Sequence, residues 1–308
     1  MSGKVAVFGP NPMLSVTIEA MTADGGDDIH VHAAGQGVWV ARMAAELGAE
    51  ATLCGFIGGE CGAVLRPLLE QMPIGLRLIE TGVASGAYIH DRRGGERVPV
   101  AQSASMPPSR HEVDSLFSAA CAAALDAGVL ALCGPYPSEA LPLEIYGDLV
   151  ADVKANGTPV VVDLSPPRLD SALEGGPDLV KINDWELAGY VEGPVDTPAR
   201  TRAALERLLE AGAGAAIVTR AEEPALVLRG EEAWELIPPR FARGAREGCG
   251  DSMMGGLAAC MAAGLDWEQT LRTGAAAGAA NFLRHGLGNA DRAVVEDLAR
   301  RVELRPVP

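Results

Sequence analysis

Short apolar segments of strand character alternate with longer segments of helical periodicity along most of this 308-residue chain. The predicted strands are residues 4–8, 51–57, 129–133, 159–164, 179–182 and 215–219, and the predicted helices are 38–47, 63–71, 112–127, 141–155 and 201–211. Segment 159–164 is continuously apolar up to Asp163, which is typical of a strand covered on both faces. The alternation therefore predicts right-handed βαβ units and an α/β fold with a mostly parallel central sheet, flanked by helices on both faces.

One segment interrupts this alternation. Residues 84–91 and 97–102 both alternate in polarity and flank Arg92-Arg93-Gly94-Gly95, which indicates a hairpin. We expect this hairpin to project from the main sheet as a small β lid. A second hairpin is predicted at 225–228 and 233–236, and residues 251–301 are mainly helical. Since no repeat or low-complexity linker divides the chain, we expect one domain spanning 1–308.

Composition excludes several classes of partner. The formal net charge is −16, so the chain repels nucleic acid and anionic membranes, and neither is expected as a partner. The six cysteines form no Cys-x-x-Cys pair and no zinc-ligand spacing, so we interpret them as reduced thiols. The chain opens Met-Ser-Gly-Lys without a secretory leader, and no apolar run reaches the roughly 20 residues that cross a bilayer. These features predict a cytoplasmic protein.

The motif Gly248-Cys249-Gly250-Asp251-Ser252 carries the clearest chemical signal. Its glycines let backbone N–H groups crowd around an anion, and the apolar segment that follows is predicted to be helical. Asp251 would lie inside this positive site, where a carboxylate can take a proton from a hydroxyl that attacks a bound phosphate. The alternative is an ordinary glycine turn with Asp251 as an N-terminal helix charge worth about 0.5 kcal/mol. Taken alone, the motif fits both interpretations equally.

Asn183 and Glu186 are three residues apart, so on a first helical turn they share one face. One interpretation is a capping box, with Asn183 as the N-cap and Glu186 at the third helical position. The other is a pair that contacts a ligand, and both can hold together.

Four segments carry a family resemblance in order and spacing. They are Asn11-Pro12-Met13-Leu14-Ser15, Gly35-Gln36-Gly37-Val38-Trp39-Val40-Ala41-Arg42, Asn183-Asp184-Trp185-Glu186 and Gly248-Cys249-Gly250-Asp251-Ser252. With them the chain resembles the ribokinase-like carbohydrate kinases, and more narrowly the PfkB-type 1-phosphofructokinase and tagatose-6-phosphate kinase group. The resemblance covers nearly the whole chain.

The resemblance implies a ribokinase-like α/β fold with lid strands within 12–32 and 82–104. It implies ATP-dependent, Mg²⁺-requiring phosphoryl transfer to a hydroxyl of a small sugar-like substrate. Asp251 would be the general base, and the backbone of Gly248, Cys249, Gly250 and Asp251 the anion hole. Asn183 and Glu186 would organise Mg²⁺ and the nucleotide phosphates, with Glu186 acting on the metal through water.

The nucleotide pocket implied by the resemblance includes Thr219 and Arg220 and, on a small-residue helix, Gly278 and Asn281. The family's glycine-rich turn after Thr219 is replaced here by Glu222-Glu223-Pro224. For Gly278 and Asn281 the alternative is tight helix packing, which we favour for any single residue.

The acceptor side departs most from the family. The residues implied there are Asn11, Ser15, Gly35, Gln36, Gly37, Trp39, Tyr88 and His90. Ser15, Gln36 and Trp39 replace the family's aspartate, lysine and asparagine, and the family's lid cations are missing from residues 85–91. Arg92, Arg93 and Arg97 of the hairpin could compensate for this loss, but we favour their interpretation as a solvated turn. The loss of cations predicts an acceptor that is uncharged or differently shaped, because charge-assisted hydrogen bonds are about twice as strong as neutral ones.

Two other functions remain open at this point. One is a catalytically impaired sugar-binding or regulatory protein, and the other is a nucleoside kinase. Retention of Asp251 favours an enzyme, because a binding protein has no need of a base among the amide groups. The resemblance also implies a homodimer formed through the lid strands.

Overall fold

A computed structural model gives the structure of residues 3–21, 26–103, 107–134, 141–221, 223–284 and 288–307. The strands are β1 Lys4–Phe8, β2 Met13–Ala20, β3 Asp27–Ala34, β4 Glu50–Ile57, β5 Gly75–Glu80, β6 Ala87–Asp91, β7 Val98–Ser103, β8 Val129–Cys133, β9 Val160–Asp163, β10 Leu179–Asn183, β11 Ala216–Arg220, β12 Glu223–Arg229, β13 Glu232–Ile237 and β14 Glu303–Val307. The helices are α1 Gln36–Glu46, α2 Gly59–Glu70, α3 Arg110–Leu125, α4 Glu144–Ala155, α5 Arg168–Glu174, α6 Asp184–Tyr190, α7 Pro198–Glu210, α8 Cys249–Ala262, α9 Trp267–Phe282 and α10 Arg292–Ala299.

The main sheet is mostly parallel. Within the described residues its ten strands follow the order β14-β13-β12-β11-β10-β9-β8-β1-β4-β5. All pairs from β11 to β5 are parallel, and β12, β13 and β14 add an antiparallel edge. The predicted parallel core of the fold is therefore confirmed, as is the hairpin that forms β12 and β13.

Both faces of this sheet are buried, as the apolar strands predicted. On β8, Val129 and Ala131 lie in one hydrophobic core and Leu130 and Leu132 lie in the other. Helices α1, α8 and α9 contribute to the first core, and α3, α4 and α7 contribute to the second. Alternate side chains of a strand point to opposite faces, so a strand between two helical layers must be apolar throughout.

A separate small sheet forms the lid, in the order β3-β2-β6-β7. The predicted hairpin is its antiparallel β6–β7 pair, and β2 joins β6 in parallel and β3 in antiparallel pairing. Residues 22–25 and 104, which belong to the predicted lid segments, lie outside the described part of the chain.

Three elements were missed by the sequence analysis: β5, α5 and β14. Strands β5 and β14 pair on one side only, and their apolar residues are interrupted by Arg77 and Arg305. Their half-exposed pattern lacks the continuous apolar signal of the central strands, and α5 is only seven residues long. None of the helices in the described ranges is long and apolar enough to span a bilayer.

Close glycine contacts bring helix N-termini to the carboxyl edge of the main sheet. A Cβ on Gly9, after β1, would lie 2.7 Å from the Cα of Gly37 in α1. A Cβ on Gly255 in α8 would lie 2.7 Å from the carbonyl oxygen of Val40 in α1. These positions tolerate no side chain, so α1 packs directly on β1 and α8 packs directly on α1.

Candidate active site

The predicted site residues converge where the parallel strands end. Asp163 ends β9, Asn183 ends β10 and Arg220 ends β11, while α1 and α8 begin at Gln36 and Cys249. In open α/β sheets this edge is the usual place for a ligand, because loops and helix N-termini meet there. The tertiary structure thus brings together motifs that are more than 200 residues apart.

Residues 248–251, which we call the anion turn, form the N-terminus of α8. Gly248 is the N-cap and takes a left-handed conformation, with φ of 73°. The Cys249 N–H donates to the carbonyl oxygen of Arg246 at 3.3 Å, whereas the N–H groups of Gly250 and Asp251 donate to no described residue. Free amides at the positive end of a helix are suited to hold an anion, as the motif predicted.

A buried ion pair lies directly beneath the anion turn. Lys181 Nζ donates to Asp163 Oδ2 at 2.7 Å, and the two side chains are only 5% and 6% exposed. A Cβ on Gly250 would lie 2.6 Å from Lys181 Nζ, so the absent side chain leaves room for the ammonium group. Burial lowers the pKa of Lys181, but the carboxylates of Asp163, Asp251 and Glu186 outweigh it, so the pKa is raised above its ordinary value. Lys181 therefore stays charged at neutral pH.

Asp251 has an unusual acidity. It is partly buried, and this burial, together with the negative charges of Asp163 and Glu186, raises its pKa to about 7. Lys181 and a hydrogen bond from Gln36 act in the opposite direction. A carboxylate whose pKa is close to the working pH is suited to general base catalysis. The electrostatic environment of the motif thus agrees with the enzymatic interpretation of Asp251.

Gln36 occupies the first position of α1 and connects three elements. Its Oε1 accepts a hydrogen bond from the N–H of Gly134, after β8, at 3.0 Å, and its Nε2 donates to the carbonyl oxygen of Asp163 at 3.3 Å. Since Gln36 also contacts Asp251, it connects α1 with the first turn of α8.

Asn183 and Glu186 form the capping box that the sequence allowed. Asn183 Oδ1 accepts from the Glu186 N–H at 2.9 Å, and Glu186 Oε2 accepts from the Asn183 N–H at 3.3 Å. Burial raises the pKa of Glu186, and the nearby Asp163 carboxylate raises it further. The ligand-binding interpretation is compatible with this geometry and stays a prediction.

The carboxylates of Asp163, Glu186 and Asp251 bear on the predicted Mg²⁺ site. Asp163 raises the pKa of Glu186, and Asp163 and Glu186 both raise the pKa of Asp251, so a nearby cation would relieve this repulsion. No cluster of three or more acidic, histidine or cysteine ligands is preformed among the described residues. Mg²⁺ keeps several waters and needs few protein oxygens, so a sparse donor set that includes Glu186 fits it.

The residues predicted for the nucleotide pocket lie at the ends of β11 and within α9. Thr219 Oγ1 donates to the carbonyl oxygen of Ile182 at 3.5 Å, and Arg220 Nε donates to that of Pro224 at 2.7 Å. Ala221 follows in a left-handed conformation, with φ of 47°. Glu222 lies outside the described residues, but Arg220 pairs with Glu223, so β11 and β12 close into a hairpin.

Gly278 and Asn281 are packed against the segment that leads to the anion turn. A Cβ on Gly278 would lie 3.0 Å from the carbonyl oxygen of Cys249. Asn281 is fully buried, with Nδ2 donating to Glu247 at 2.8 Å and Oδ1 accepting from the Gly288 N–H at 2.8 Å. These contacts give both residues a packing role, and a contact with the nucleotide stays a prediction.

The acceptor-side residues meet between α1 and the lid. Gly35 has φ of 110°, and a Cβ there would lie 2.8 Å from the carbonyl oxygen of Asn11. Trp39 is partly buried against Met13, Ala34 and Tyr88 of the lid. This contact gives Trp39 a packing role, and its contact with the acceptor stays a prediction. Ser15 and Tyr88 are neighbours in register on β2 and β6, and His90, two residues further along β6 and on the same face, pairs with Thr17.

The hairpin arginines divide into two kinds. Arg93 pairs with Asp91 and Asp27, and Arg92 lies near Glu19, as expected of a solvated turn. Arg97 does not belong with them: its guanidinium lies 5.2 Å from the centre of the Tyr88 ring. Our interpretation was wrong for Arg97, because pairing of β6 with β7 brings the chain back across the lid beside Tyr88.

Asp163 is a functional candidate that the sequence analysis missed, although it gave a signal. It is the single carboxylate in the apolar segment 159–164, and a charge in a buried strand needs a partner.

Comparisons with known proteins agree with this arrangement. Residues 13–293 match the family described as pfkB family carbohydrate kinase. The chain is 29% identical to 1-phosphofructokinase of Rhodobacter capsulatus, covering 96% of this chain and 94% of that protein. It is 28% identical to ATP-dependent 6-phosphofructokinase isozyme 2 of Escherichia coli, covering 82% of each.

Solved structures share the fold. Phosphofructokinase-2 from Escherichia coli, in complex with potassium, superposes with a TM-score of 0.85 at 24% identity, covering 97% of this chain and 99% of that one. Ribokinase from Arabidopsis thaliana, complexed with ribose and ATP, gives a TM-score of 0.72 at 20% identity, with coverage of 97% and 99%. With a family match across most of its length and the ribokinase-like architecture, the chain belongs to the pfkB family of carbohydrate kinases.

Proposed function

We propose that this protein transfers the terminal phosphoryl group of ATP to a hydroxyl of a sugar or sugar-like acceptor. The observation that carries the proposal is the Asp251 carboxyl, which has a pKa of about 7 and stands at the third position of a helix whose Gly250 and Asp251 amides donate to no described residue. A carboxylate next to an anion site repels the bound anion, so it would weaken a site that only binds. It is useful where an alcohol must be deprotonated next to a phosphate.

In the proposed reaction, an Asp251 oxygen accepts the proton of the acceptor hydroxyl. The hydroxyl oxygen forms a bond to the γ-phosphorus, the bond from that phosphorus to the bridging oxygen of ATP breaks, and ADP leaves with the electron pair. The anion turn donates hydrogen bonds to the transferring group, and Lys181 places a positive charge beneath it. This arrangement follows the general logic of phosphoryl transfer, in which positioning and charge stabilisation provide most of the catalysis.

Mg²⁺ would be held near Glu186 through water, with Asn183 ordering the carboxylate, and would neutralise charge on the nucleotide phosphates when bound. Thr219, Arg220 and Ala221 would line the nucleotide side. Residues Asn11, Ser15, Gly35, Gln36, Gly37, Trp39, Tyr88 and His90 would surround the acceptor. Closure of the lid over them would exclude water and so limit hydrolysis of ATP.

We further propose that residues 1–308 work as one domain and that two copies pair through the lid. Both edge strands of the lid sheet carry exposed apolar side chains, with Ile29 on β3 62% exposed and Val98 on β7 55% exposed. Unpaired strand edges with exposed apolar residues favour association. Sedimentation of the native chain against an Ile29→Lys, Val98→Lys variant would test the dimer.

The kinase proposal is tested by coupled ADP release over a panel of sugars, sugar phosphates, polyols and nucleosides. We expect turnover on at least one sugar-class acceptor and its loss in Asp251→Asn. If Asp251→Asn left turnover unchanged, Asp251 would not be the general base. If only nucleosides were turned over, the protein would be a nucleoside kinase and not a sugar kinase. Sugar binding without turnover would instead favour a binding protein.

A further inference from the structure

The side chain of Gln36 lies between four elements of the candidate active site. Gln36 opens α1; its Oε1 accepts from the N–H of Gly134, after β8, at 3.0 Å, and its Nε2 donates to the carbonyl oxygen of Asp163, the last residue of β9, at 3.3 Å. Its carboxamide also donates to the side chain of Asp251 in the first turn of α8. One neutral side chain therefore connects the N-terminal turns of two helices with the carboxyl ends of two neighbouring strands.

A carboxamide is suited to make these three contacts at once. The contact with Gly134 needs an acceptor, whereas the contacts with Asp163 and Asp251 need two N–H donors, and a carboxamide carries one carbonyl oxygen and two such donors. A lysine at this position would only donate, and an ionised glutamate would only accept, so neither could make all three contacts. The residue type at position 36 is therefore explained by the link between the strand ends and Asp251.

The groups that hold Gln36 are themselves fixed by the fold. Strands β8 and β9 are buried parallel neighbours, with Cys133 opposite Asp163 in register. The side chain of Asp163 accepts a hydrogen bond from Lys181 at 2.7 Å, which holds the end of β9 from its other side. A donor that is held in this way restricts the rotamers of the group that accepts from it. Gln36 therefore restricts the orientation of the Asp251 carboxyl group.

We propose that Gln36 is the positioning residue of the general base: it holds one oxygen of the Asp251 carboxylate and leaves the other to take the proton of the acceptor hydroxyl. This inference rests on the proposed kinase function and refines the predicted place of Gln36 at the acceptor site, because the residue acts on the base and not on the acceptor. A base must lie within about 2.6–3.2 Å of the hydroxyl oxygen, so a carboxyl group that turns away transfers the proton slowly even when the acceptor is bound.

The test measures kcat and KM of Gln36→Met, whose side chain has a similar length but no amide. With ATP and the sugar of the panel above that gives the fastest ADP release, kcat should fall roughly 10- to 100-fold and the KM of the sugar should change less than about threefold. Gln36→Glu can still accept from Gly134 but loses both donors when ionised, so its kcat should fall by at least as much.

The matched control is Thr158→Val. It removes a buried hydrogen bond to the carbonyl oxygen of Ala124, at the end of β9 opposite to Asp163. This variant should lose stability but keep the native kcat, which separates the loss of any buried hydrogen bond from the loss of the contact with the base. If Thr158→Val lowered kcat as much as Gln36→Met does, the inference would be overturned.

A double-mutant cycle with Asp251→Ala shows whether Gln36 acts through the base. Gln36→Met should not lower the residual kcat of Asp251→Ala further, and the shifts of the two variants in urea midpoint should not add. An unchanged kcat in Gln36→Met, a rise in KM without a fall in kcat, or full additivity of either quantity would overturn the inference. The unfolding cycle needs no substrate: non-additive midpoints without turnover on any acceptor would reject the kinase function but support the link between Gln36 and Asp251, and turnover with additive midpoints would retain the kinase function and reject the link.

Discussion

The two sides of the cleft are built in different ways. On the side of the anion turn, Lys181 and Asp163 form a buried ion pair beneath the free amides of Gly250 and Asp251, and α8 fixes the geometry. On the side predicted to hold the acceptor, Arg97 lies over the Tyr88 ring without an ion pair to any described residue, and Tyr88 Oη and His90 Nδ1 are buried without a hydrogen bond to one. The difference teaches that contacts within the fold fix the charges beneath the anion turn, whereas the lid keeps buried polar atoms for which the described fold provides no partner.

The largest effect should come from Asp251→Asn. Removing a general base lowers kcat by roughly 10²–10⁴-fold, and the native rate should fall as pH drops below about 7, where Asp251 becomes protonated. Steady-state kinetics from pH 5 to 9 would measure kcat and its pH dependence. The matched control is Asp114→Asn, at an exposed aspartate on α3, which should change neither kcat nor its pH dependence.

The same variant should gain stability. Because the folded-state pKa of Asp251 is raised, the folded protein binds the proton more tightly than the unfolded chain, so ionisation destabilises the fold as pH rises from about 4 to above 7. Urea unfolding should show a larger free energy of unfolding for Asp251→Asn than for the native protein. This difference should be absent at pH 4 and grow to a plateau above pH 7. An advantage that shrinks with rising pH would contradict the raised pKa.

The second effect concerns the ion pair beneath the anion turn. Lys181→Met should lower the free energy of unfolding by roughly 3–5 kcal/mol, because Asp163 is left as an uncompensated buried charge. It should also move the acid limb of the rate profile to higher pH, since Lys181 lowers the pKa of Asp251. Arg200→Met, which breaks the exposed pair with Asp196, should cost less than about 1 kcal/mol. Equal costs for the two variants would show that the buried pair has no special role.

A smaller effect should follow from Gly250→Ala. The added methyl would lie 2.6 Å from Lys181 Nζ, so the ammonium group must shift. Displacement of a charge by a fraction of an ångström beneath the reacting group should lower kcat roughly tenfold with little change in KM. Gly189→Ala in α6, where a Cβ meets nothing within 4 Å, should be neutral or slightly stabilising. An unchanged kcat in Gly250→Ala would place Lys181 outside the chemistry.

The smallest effect should come from Ala221→Gly. Ala221 has φ of 47°, a left-handed conformation that costs an L-residue about 1 kcal/mol, so glycine should stabilise the protein by about that amount. Ala188→Gly, inside α6, should destabilise by about 1 kcal/mol and serves as the matched control. Thermal unfolding of both variants would measure these changes in stability. If both variants lost stability to a similar extent, the β11–β12 turn would not be strained.

Much of the fold could be read from the sequence because its central strands are unambiguous. Strand β8 was predicted with its observed bounds, and β1 likewise, since a fully apolar strand bounded by turns has few alternatives. Edge strand β14 was missed because its residues are half exposed and its pairing with β13 is not encoded locally.

The sequence by itself determined the order of strands and helices, the anion turn and the capping box of Asn183 and Glu186, because each depends on residues a few positions apart. Only the tertiary structure decided that Lys181 neutralises Asp163 beneath Gly250, that Asp251 is buried enough to titrate near neutrality, and that Arg97 lies on Tyr88. Charge and burial act through space, so their effects are set by strand pairing and helix packing that no short segment of the chain contains.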